Sequence, residues 1–408
     1  MILFVIRMLI DICLKVVLVV FWLGIISSCT ENYSVSEEFQ KSEDSLKKSL
    51  SSIRADSVSI QNYKRVYKSE IENINRFFER QHAKRGFNGN VLFALDGVPI
   101  FIKSFGVRSI HSKELLQSHD AFQLASVSKP ITATAILQLY EKGKLKLTDT
   151  LQKFIPDFPE RYKGITIHQL LSHQSGLFEY DKFNDREWRK NKEFLTFKTI
   201  LNAIIKKEPY PYYRAGNKFD YLNFNYVILA QIVEIVSKQS FEKYLKANVF
   251  DRAGMKDAFV FNANDTSSIR KKKVFGHIYR RTHPLDYQDG VYGDKGIFAS
   301  VHDMLAFDQA YSKGLLLEDS TKLLAESKQV KKWNSFKNYG YGWRLDHSKG
   351  KYKITYHNGW WKGYKSKFIR LENNKVTIVV LSNTLKAMNY SYRELIKLIN
   401  LKESKEES

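Results

Sequence analysis

The stretch Phe122–Leu145, FQLASVSKPITATAILQLYEKGKL, sets a serine and a lysine three residues apart at the mouth of a helix that is apolar nearly all round. Pro130 has no N–H, so a helix tolerates it only in the first turn. The helix therefore starts near Ser126. The run ITATAILQLY shows little polar surface, which predicts burial. Gly143 supplies a left-handed stop. Ser126 then sits at the positive end of a buried helix, with its own N–H unused inside it. Lys129 lies one turn on, on the same side. Desolvation and the helix N-terminus both favour a neutral amine able to take a proton. A nucleophile, a base and one oxyanion donor thus fall within a few residues. The spacing alone is not diagnostic. S-x-x-K recurs at Ser45, Ser240, Ser268 and Ser348, and a serine N-cap followed by an exposed lysine reads the same way.

The surroundings add more. FQLASVSKPITATAILQLYEKGKLKLTDTL resembles the nucleophile helix of the serine β-lactamase and penicillin-binding protein superfamily, in the branch of class C β-lactamases, D-alanyl-D-alanine carboxypeptidases and related esterases. GITIHQLLSHQSGL (164–177) is similar to the segment that follows that helix. Here Thr166 and Gln169 form a capping box, and Gly176 can end the helix. His168 and His173 stand five apart with no carboxylate placed to join them, so they do not read as a metal pair. The second family motif, Tyr-x-Asn, is matched by Tyr221 and Asn223 in FDYLNFNYVILAQIVEIVSKQSFEKYL. On the residues alone, Asn223 is equally a helix cap and Tyr221 a core tyrosine. Leu222 stands where the family usually has serine. The third motif is His357-Asn358-Gly359 in ITYHNGWWKGYKSKFIR, similar to the family's His-x-Gly form.

The resemblance implies roles. Ser126 is the nucleophile, and Lys129 and Tyr221 move its proton. The N–H groups of Ser126 and Trp360 form the oxyanion hole. Asn223, His357 and Gly359 receive the substrate. No metal and no organic cofactor are implied. Trp360-Trp361 replace small residues, so an indole is expected to border the site, narrowing it or stacking on a ring. GVYGDKGIFASVHDMLAFDQAY resembles a further family segment, with Gly296 near the site and a helix starting at His302-Asp303. The sequence holds no G-x-S-x-G, no H-E-x-x-H and no phosphate loop.

Outward from these motifs, NVLFALDGVPIFIKSFG gives two apolar runs about Asp96-Gly97, and KSKFIRLENNKVTIVVLSNT gives two about Asn373-Asn374, each a hairpin signal. Helical patterns flank them, at 63–85 and 390–401. The middle, about 120–330, is mostly helical. The expected fold class is α+β and β-lactamase-like: an antiparallel sheet flanked by the N- and C-terminal helices, with an all-α lobe inserted. Its domain spans 63–403, after a signal peptide at 1–28 and a Ser, Glu and Lys-rich tether at 29–62.

The N-terminus carries an uncharged apolar run, Val16 to Ile26, then Ser27, Ser28 and Cys29. That is the layout of an export signal, and ISSC resembles the lipobox of bacterial lipoproteins, in which the cysteine is lipidated. The alternative is a plain membrane anchor, but the uncharged run is short for a span, and Asp11 and Lys15 interrupt any longer one. Cys13 and Cys29 are the only cysteines, so the domain has no disulfide. The formal net charge is +22. With export, this reads as a basic surface facing anionic lipid or wall polymer rather than nucleic acid. The expected function is a serine hydrolase of the bacterial cell envelope, acting through an acyl-enzyme on D-alanyl peptides, amides or esters and possessing a membrane lipid anchor. The alternatives are a β-lactamase and a binding or sensing protein that never turns over.

Overall fold

The computed structural model describes residues 57–180, 193–279, 281–331, 337–347, 353–371, 375–385 and 388–399. The expected signal peptide, Cys29 and most of the tether lie outside the described residues. The helical pattern expected from residue 63 begins at Ser57 and is split in two: α1 (Ser57–Val66) and α2 (Lys68–Arg85). Helix α1 buries no residue, whereas α2 buries Ile74 and Phe78, which is why only α2 shows a clear apolar side in the sequence.

Strands β1 (Gly89–Leu95) and β2 (Val98–Phe105) follow, joined by Asp96 and Gly97 at φ 50° and 78°. Both residues are left-handed, the backbone that two-residue hairpins demand. The middle of the chain then runs through β3 (Phe122–Gln123), a 3-10 turn at Ala125–Val127, α3 (Ser128–Glu141), α4 (Ile167–Leu171), α5 (Phe197–Lys207), α6 (Asn223–Ser237), α7 (Phe241–Leu245) and β4 (Phe259–Val260). After β5 (His277–Ile278), β6 (Arg281–Thr282), β7 (Ile297–Ala299), α8 (Val301–Ser312) and α9 (Asp319–Ala325), the chain returns to the sheet. Its last strands are β8 (Lys337–Tyr339), β9 (Arg344–Asp346), β10 (Ile354–Trp361), β11 (Tyr364–Leu371) and β12 (Val376–Ser382), and α10 (Tyr392–Lys397) follows.

The main sheet has seven strands in the order β2-β1-β12-β11-β10-β9-β8, with every pairing antiparallel. Both ends of the chain build it, as expected. Alternation decides which core each strand residue joins. Val91, Phe93, Ile378 and Val380 pack with Ile74 and Phe78 of α2 and Leu395 of α10. Leu92, Ala94, Val379 and Leu381 face the other way, into the larger core shared with α3 and α6. The sheet is therefore covered on both faces, which explains why β1 and β12 are buried at every position.

Helix α3 is buried from Ser128 to Leu139. Its polar side chains are satisfied inside: Thr132 Oγ1 donates to the Gly293 carbonyl (2.8 Å), and Gln138 Nε2 donates to the carbonyls of Asn248 (2.9 Å) and Leu316 (3.1 Å). Gly143, at φ 63°, closes the helix end. The expected capping box at Thr166 and Gln169 is present. Gly176 does not end that helix. The helix stops at Leu171, and His173 takes the left-handed backbone at φ 55°. Two hydrogen bonds hold its ring in place, described below.

Candidate active site

The 3-10 turn Ala125–Val127 carries Ser126 into α3, so the α-helix proper begins two residues later than expected, at Ser128. Ala125 is left-handed at φ 50°, a sparsely populated backbone for alanine. The turn is held by the Leu124 N–H on the Ile297 carbonyl (2.9 Å) and by the Ser366 hydroxyl on the Leu124 carbonyl. Ser126 itself remains partly exposed.

Lys129 is fully buried, and its Nζ is the hub of the site. It lies 3.1 Å from Ser126 Oγ, 2.8 Å from Asn223 Oδ1 and 3.0 Å from the Asp294 carbonyl. It also stands over the rings of Tyr221 and Tyr226, 4.9 and 5.6 Å from their centroids. The structure thus joins Ser126, Lys129 and Asn223 directly. Tyr221 joins through its ring face, and its buried hydroxyl has no protein partner among the described residues. Asn223 opens α6 and gives its backbone N–H to Glu179. Its side chain does not cap the helix.

Two elements to which the sequence reading assigned no role in the site hold this hub. The first is the Gly293–Gly296 turn, which supplies the Asp294 carbonyl. Here Asp294 and Lys295 are buried together: Lys295 Nζ lies 3.2 Å from Asp294 Oδ2 and donates to Tyr180 Oη at 2.5 Å, and Tyr180 Oη donates to Asp294 Oδ2 at 3.1 Å. The second is His173. Its Nδ1 accepts from the Leu222 N–H and from Asn225 Nδ2, both at 3.2 Å, and its ring packs 4.3 Å from that of Tyr221. Burial first, then the charge of Lys129, hold His173 well below the usual histidine range. It is a neutral imidazole under the Tyr-x-Asn turn.

On β10, His357 is buried and neutral for the same reason, with Arg344 and Lys129 as the neighbouring charges after burial itself. Its Nδ1 donates to the Asn358 carbonyl at 2.8 Å, which leaves Nε2 to accept from Tyr339 Oη at 3.2 Å. Gly359 meets the Ser126 turn: a Cβ there would lie 2.2 Å from the Leu124 carbonyl oxygen and 3.1 Å from Ala125 Cβ. Strand β9 pairs with β10 only at Ile354–Tyr356, so the stretch carrying the Trp360 N–H lies beyond that pairing. The two indoles separate. Trp360 is 60% exposed, whereas Trp361 donates from Nε1 to Asp289 Oδ1 (2.9 Å) and receives Lys295 Nζ over its ring at 4.5 Å. Trp361 is therefore the indole at the site's wall.

The remaining serine–lysine pairs that are described have local structural roles. Ser240 caps α7 through the Lys243 N–H, and Ser268 is buried on Asn262. Ser45 and Ser348 lie outside the described residues. His168 hydrogen-bonds Tyr341 Oη at 2.8 Å.

Comparison with known proteins agrees with this geometry. The β-lactamase family model matches residues 74–400. A penicillin-binding protein of Bacillus subtilis (strain 168) is 31% identical over 325 residues, covering 76% of this chain and 71% of that protein. Protein flp of Staphylococcus aureus (strain N315) is 30% identical over 186 residues, covering 44% of this chain; the chain spans only 36% of that longer protein. The crystal structure of a penicillin binding protein from Bacillus halodurans superposes with a TM-score of 0.68 at 25% identity, covering 78% of this chain and 98% of that one. The motifs, the fold and these likenesses coincide over the same residues, and the chain belongs to the β-lactamase family, with a β-lactamase-like fold.

Proposed function

We propose that the protein is a serine hydrolase working through an acyl-enzyme on Ser126, with D-alanyl peptides, amides or esters as substrates. The observation that carries this reading is the coordination of Lys129 Nζ. A neutral amine has two N–H bonds and one lone pair. The Asn223 Oδ1 and the Asp294 carbonyl are acceptors and take the two N–H bonds, which leaves the lone pair for the Ser126 hydroxyl. After proton transfer, the same three contacts suit an ammonium. The site therefore needs no rearrangement between the two protonation states.

In this mechanism Ser126 Oγ attacks the substrate carbonyl carbon as its proton passes to Lys129. The backbone N–H groups of Ser126 and Trp360 hold the resulting oxyanion. As the bond to the leaving group breaks, the proton passes by way of Tyr221 to the leaving atom. Asn223 and Gly359 position the substrate, and His357 supports the strand that does so. Water then attacks the acyl carbon as Lys129 takes its proton, and Lys129 returns that proton to Ser126 Oγ as the ester bond breaks, releasing the acid and free Ser126.

Intact-mass labelling with a fluorophosphonate and, separately, a penicillin tests this on the protein and on Ser126→Ala. One adduct on the wild type and none on the variant is the expected result. No adduct with either reagent would sink the reading in favour of a binding protein. An adduct from a substrate ester that persists for hours would indicate a sensor that does not turn over. We further propose that Cys29 is lipidated and anchors the chain in the bacterial envelope, facing wall polymer. The Cys29→Ser chain should then leave the membrane fraction; if it stays there, the anchor is not lipid.

A further inference from the structure

The Gly293–Gly296 turn brings an acid to Lys129 as well as a carbonyl. The Asp294 carbonyl accepts from Lys129 Nζ at 3.0 Å, so the Asp294 carboxylate lies within one side-chain length of the same amine. That carboxylate is not alone. The Asp294 and Lys295 side chains are each 4% exposed. Lys295 Nζ lies 3.2 and 3.4 Å from the two carboxylate oxygens. Tyr180 Oη bridges the pair, accepting from Lys295 at 2.5 Å and donating to Asp294 at 3.1 Å. Successive side chains on an extended strand point apart. Here they meet because the turn folds back on itself, with the Gly293 N–H on the Lys295 carbonyl at 3.0 Å and Gly293 and Gly296 left-handed at φ 100° and 89°.

Stability does not call for such a pair. Replacing a buried ion pair by apolar side chains of similar volume is often neutral for a fold. The turn also has other anchors. The Gly293 carbonyl accepts from Thr132 Oγ1 at 2.8 Å, and a Cβ at residue 293 would lie 2.3 Å from the Tyr226 carbonyl oxygen, so the turn is pressed onto α3 and α6. What the pair supplies is charge balance beside a buried amine. A lone carboxylate this close to Lys129, which is fully buried, would favour the ammonium over the neutral amine that has to take a proton. The other groups facing Lys129 are the rings of Tyr221 and Tyr226, the neutral imidazoles of His173 and His357, and the cation of Arg344, 5.0 Å from the Tyr221 ring; Glu179 lies behind Asn223, on its backbone N–H. Asp294 is the acid whose own backbone touches Nζ, and Lys295 is its counter-charge.

We propose that Lys295 is a positioning residue that keeps Lys129 ready to take a proton, by cancelling the charge of Asp294 beside it. The proposal rests on the hydrolase reading above, in which Lys129 takes the proton of Ser126. Lys295 is buried and acts through Asp294.

The test is the pH dependence of fluorophosphonate labelling at Ser126, followed by intact mass between about pH 5.5 and 9.5. Lys295→Met keeps the stem and removes the charge. Its labelling rate at pH 7.5 should fall about tenfold or more, and its pH of half-maximal rate should rise by about one unit or more. Asp294→Asn leaves the cation alone beside the site and should move that midpoint downward. The double variant removes both charges, should fold, and should bring the midpoint back to within about 0.3 units of the wild type. A loss in Lys295→Met that is equal at every pH would reduce the pair to a structural role and overturn the proposal. So would a double variant displaced as far as either single one. If Lys295→Met does not fold, the other two variants decide: the double must match the wild-type midpoint while Asp294→Asn falls below it. A wild type that labels at no pH would bring down the hydrolase reading, and this inference with it.

Discussion

At the scale of single residues, the candidate site depends on how close the Ser126 turn comes to the sheet. The turn docks where β10 has no side chain. A Cβ at residue 359 would lie 2.2 Å from the Leu124 carbonyl oxygen and 2.2 Å from Ser366 Oγ, and the Ser366 hydroxyl donates to that same carbonyl. Gly359 therefore does more than leave room for a substrate: it lets Leu124–Ser126 rest on the strand that presents Trp360. Gly359→Ala must move the turn by about 1 Å. Displacement on that scale costs about 100-fold in rate, while overpacking costs about 1–3 kcal/mol in stability. The variant should fold, by circular dichroism and urea titration, yet react with a fluorophosphonate about 100-fold more slowly than the wild type. A labelling rate within threefold of wild type would show that the close approach does not set the reactive geometry.

At the scale of elements, what the sequence revealed was what local chemistry encodes. The Asp96-Gly97 hairpin, the capping box at Thr166 and Gln169, and the start of α8 next to His302-Asp303, observed at Val301 with Ser300 and Asp303 as its capping box, each rest on a few adjacent residues, and each formed. The serine–lysine helix was legible because Pro130 and a wholly apolar run leave few alternatives. What was hidden is tertiary. A backbone carbonyl has no signature, so the Asp294 contact to Lys129 could not be read, although the resemblance had placed its segment near the site. Strands β3, β4 and β7 are two or three residues long, too short for alternation to show. His173 takes a left-handed backbone as Gly176 does, and the partners of its ring, Leu222 and Asn225, lie some 50 positions away, beyond the reach of local pattern. Arg344 stayed invisible because nothing in YGYGWRLDHSKG distinguishes a surface arginine from one resting on Tyr221.

At the scale of the whole molecule, the candidate site residues lie on the seam between the sheet and the helical insert, and that seam also holds two neutral histidines. His173 comes from the insert and His357 from the sheet, and Tyr339 touches both, with ring centroids 4.8 and 6.1 Å away. Burial dominates both depressed values, and the charges of Lys129 and Arg344 add to it. The consequence is an acid-sensitive fold. A histidine whose folded pKa is depressed leaves the unfolded chain binding more protons below its usual value of 6.5. Stability is then undiminished above that pH and falls as pH drops through it. Each such histidine adds at most about 1.4 kcal/mol per pH unit to the slope. His168, His277 and His302 shift in the same direction and add to it. Urea midpoints measured at pH 7.5, 6.5 and 5.5 should therefore fall with acid in the wild type. His357→Asn offers the Asn358 carbonyl a donor and does not titrate. It should lower stability at pH 7.5 and yet show a slope below pH 6.5 that is shallower by about 1.4 kcal/mol per pH unit. Parallel curves for the two proteins would mean that His357 takes up its proton as readily in the fold as in the unfolded chain, and the seam would then owe its acid response to other groups.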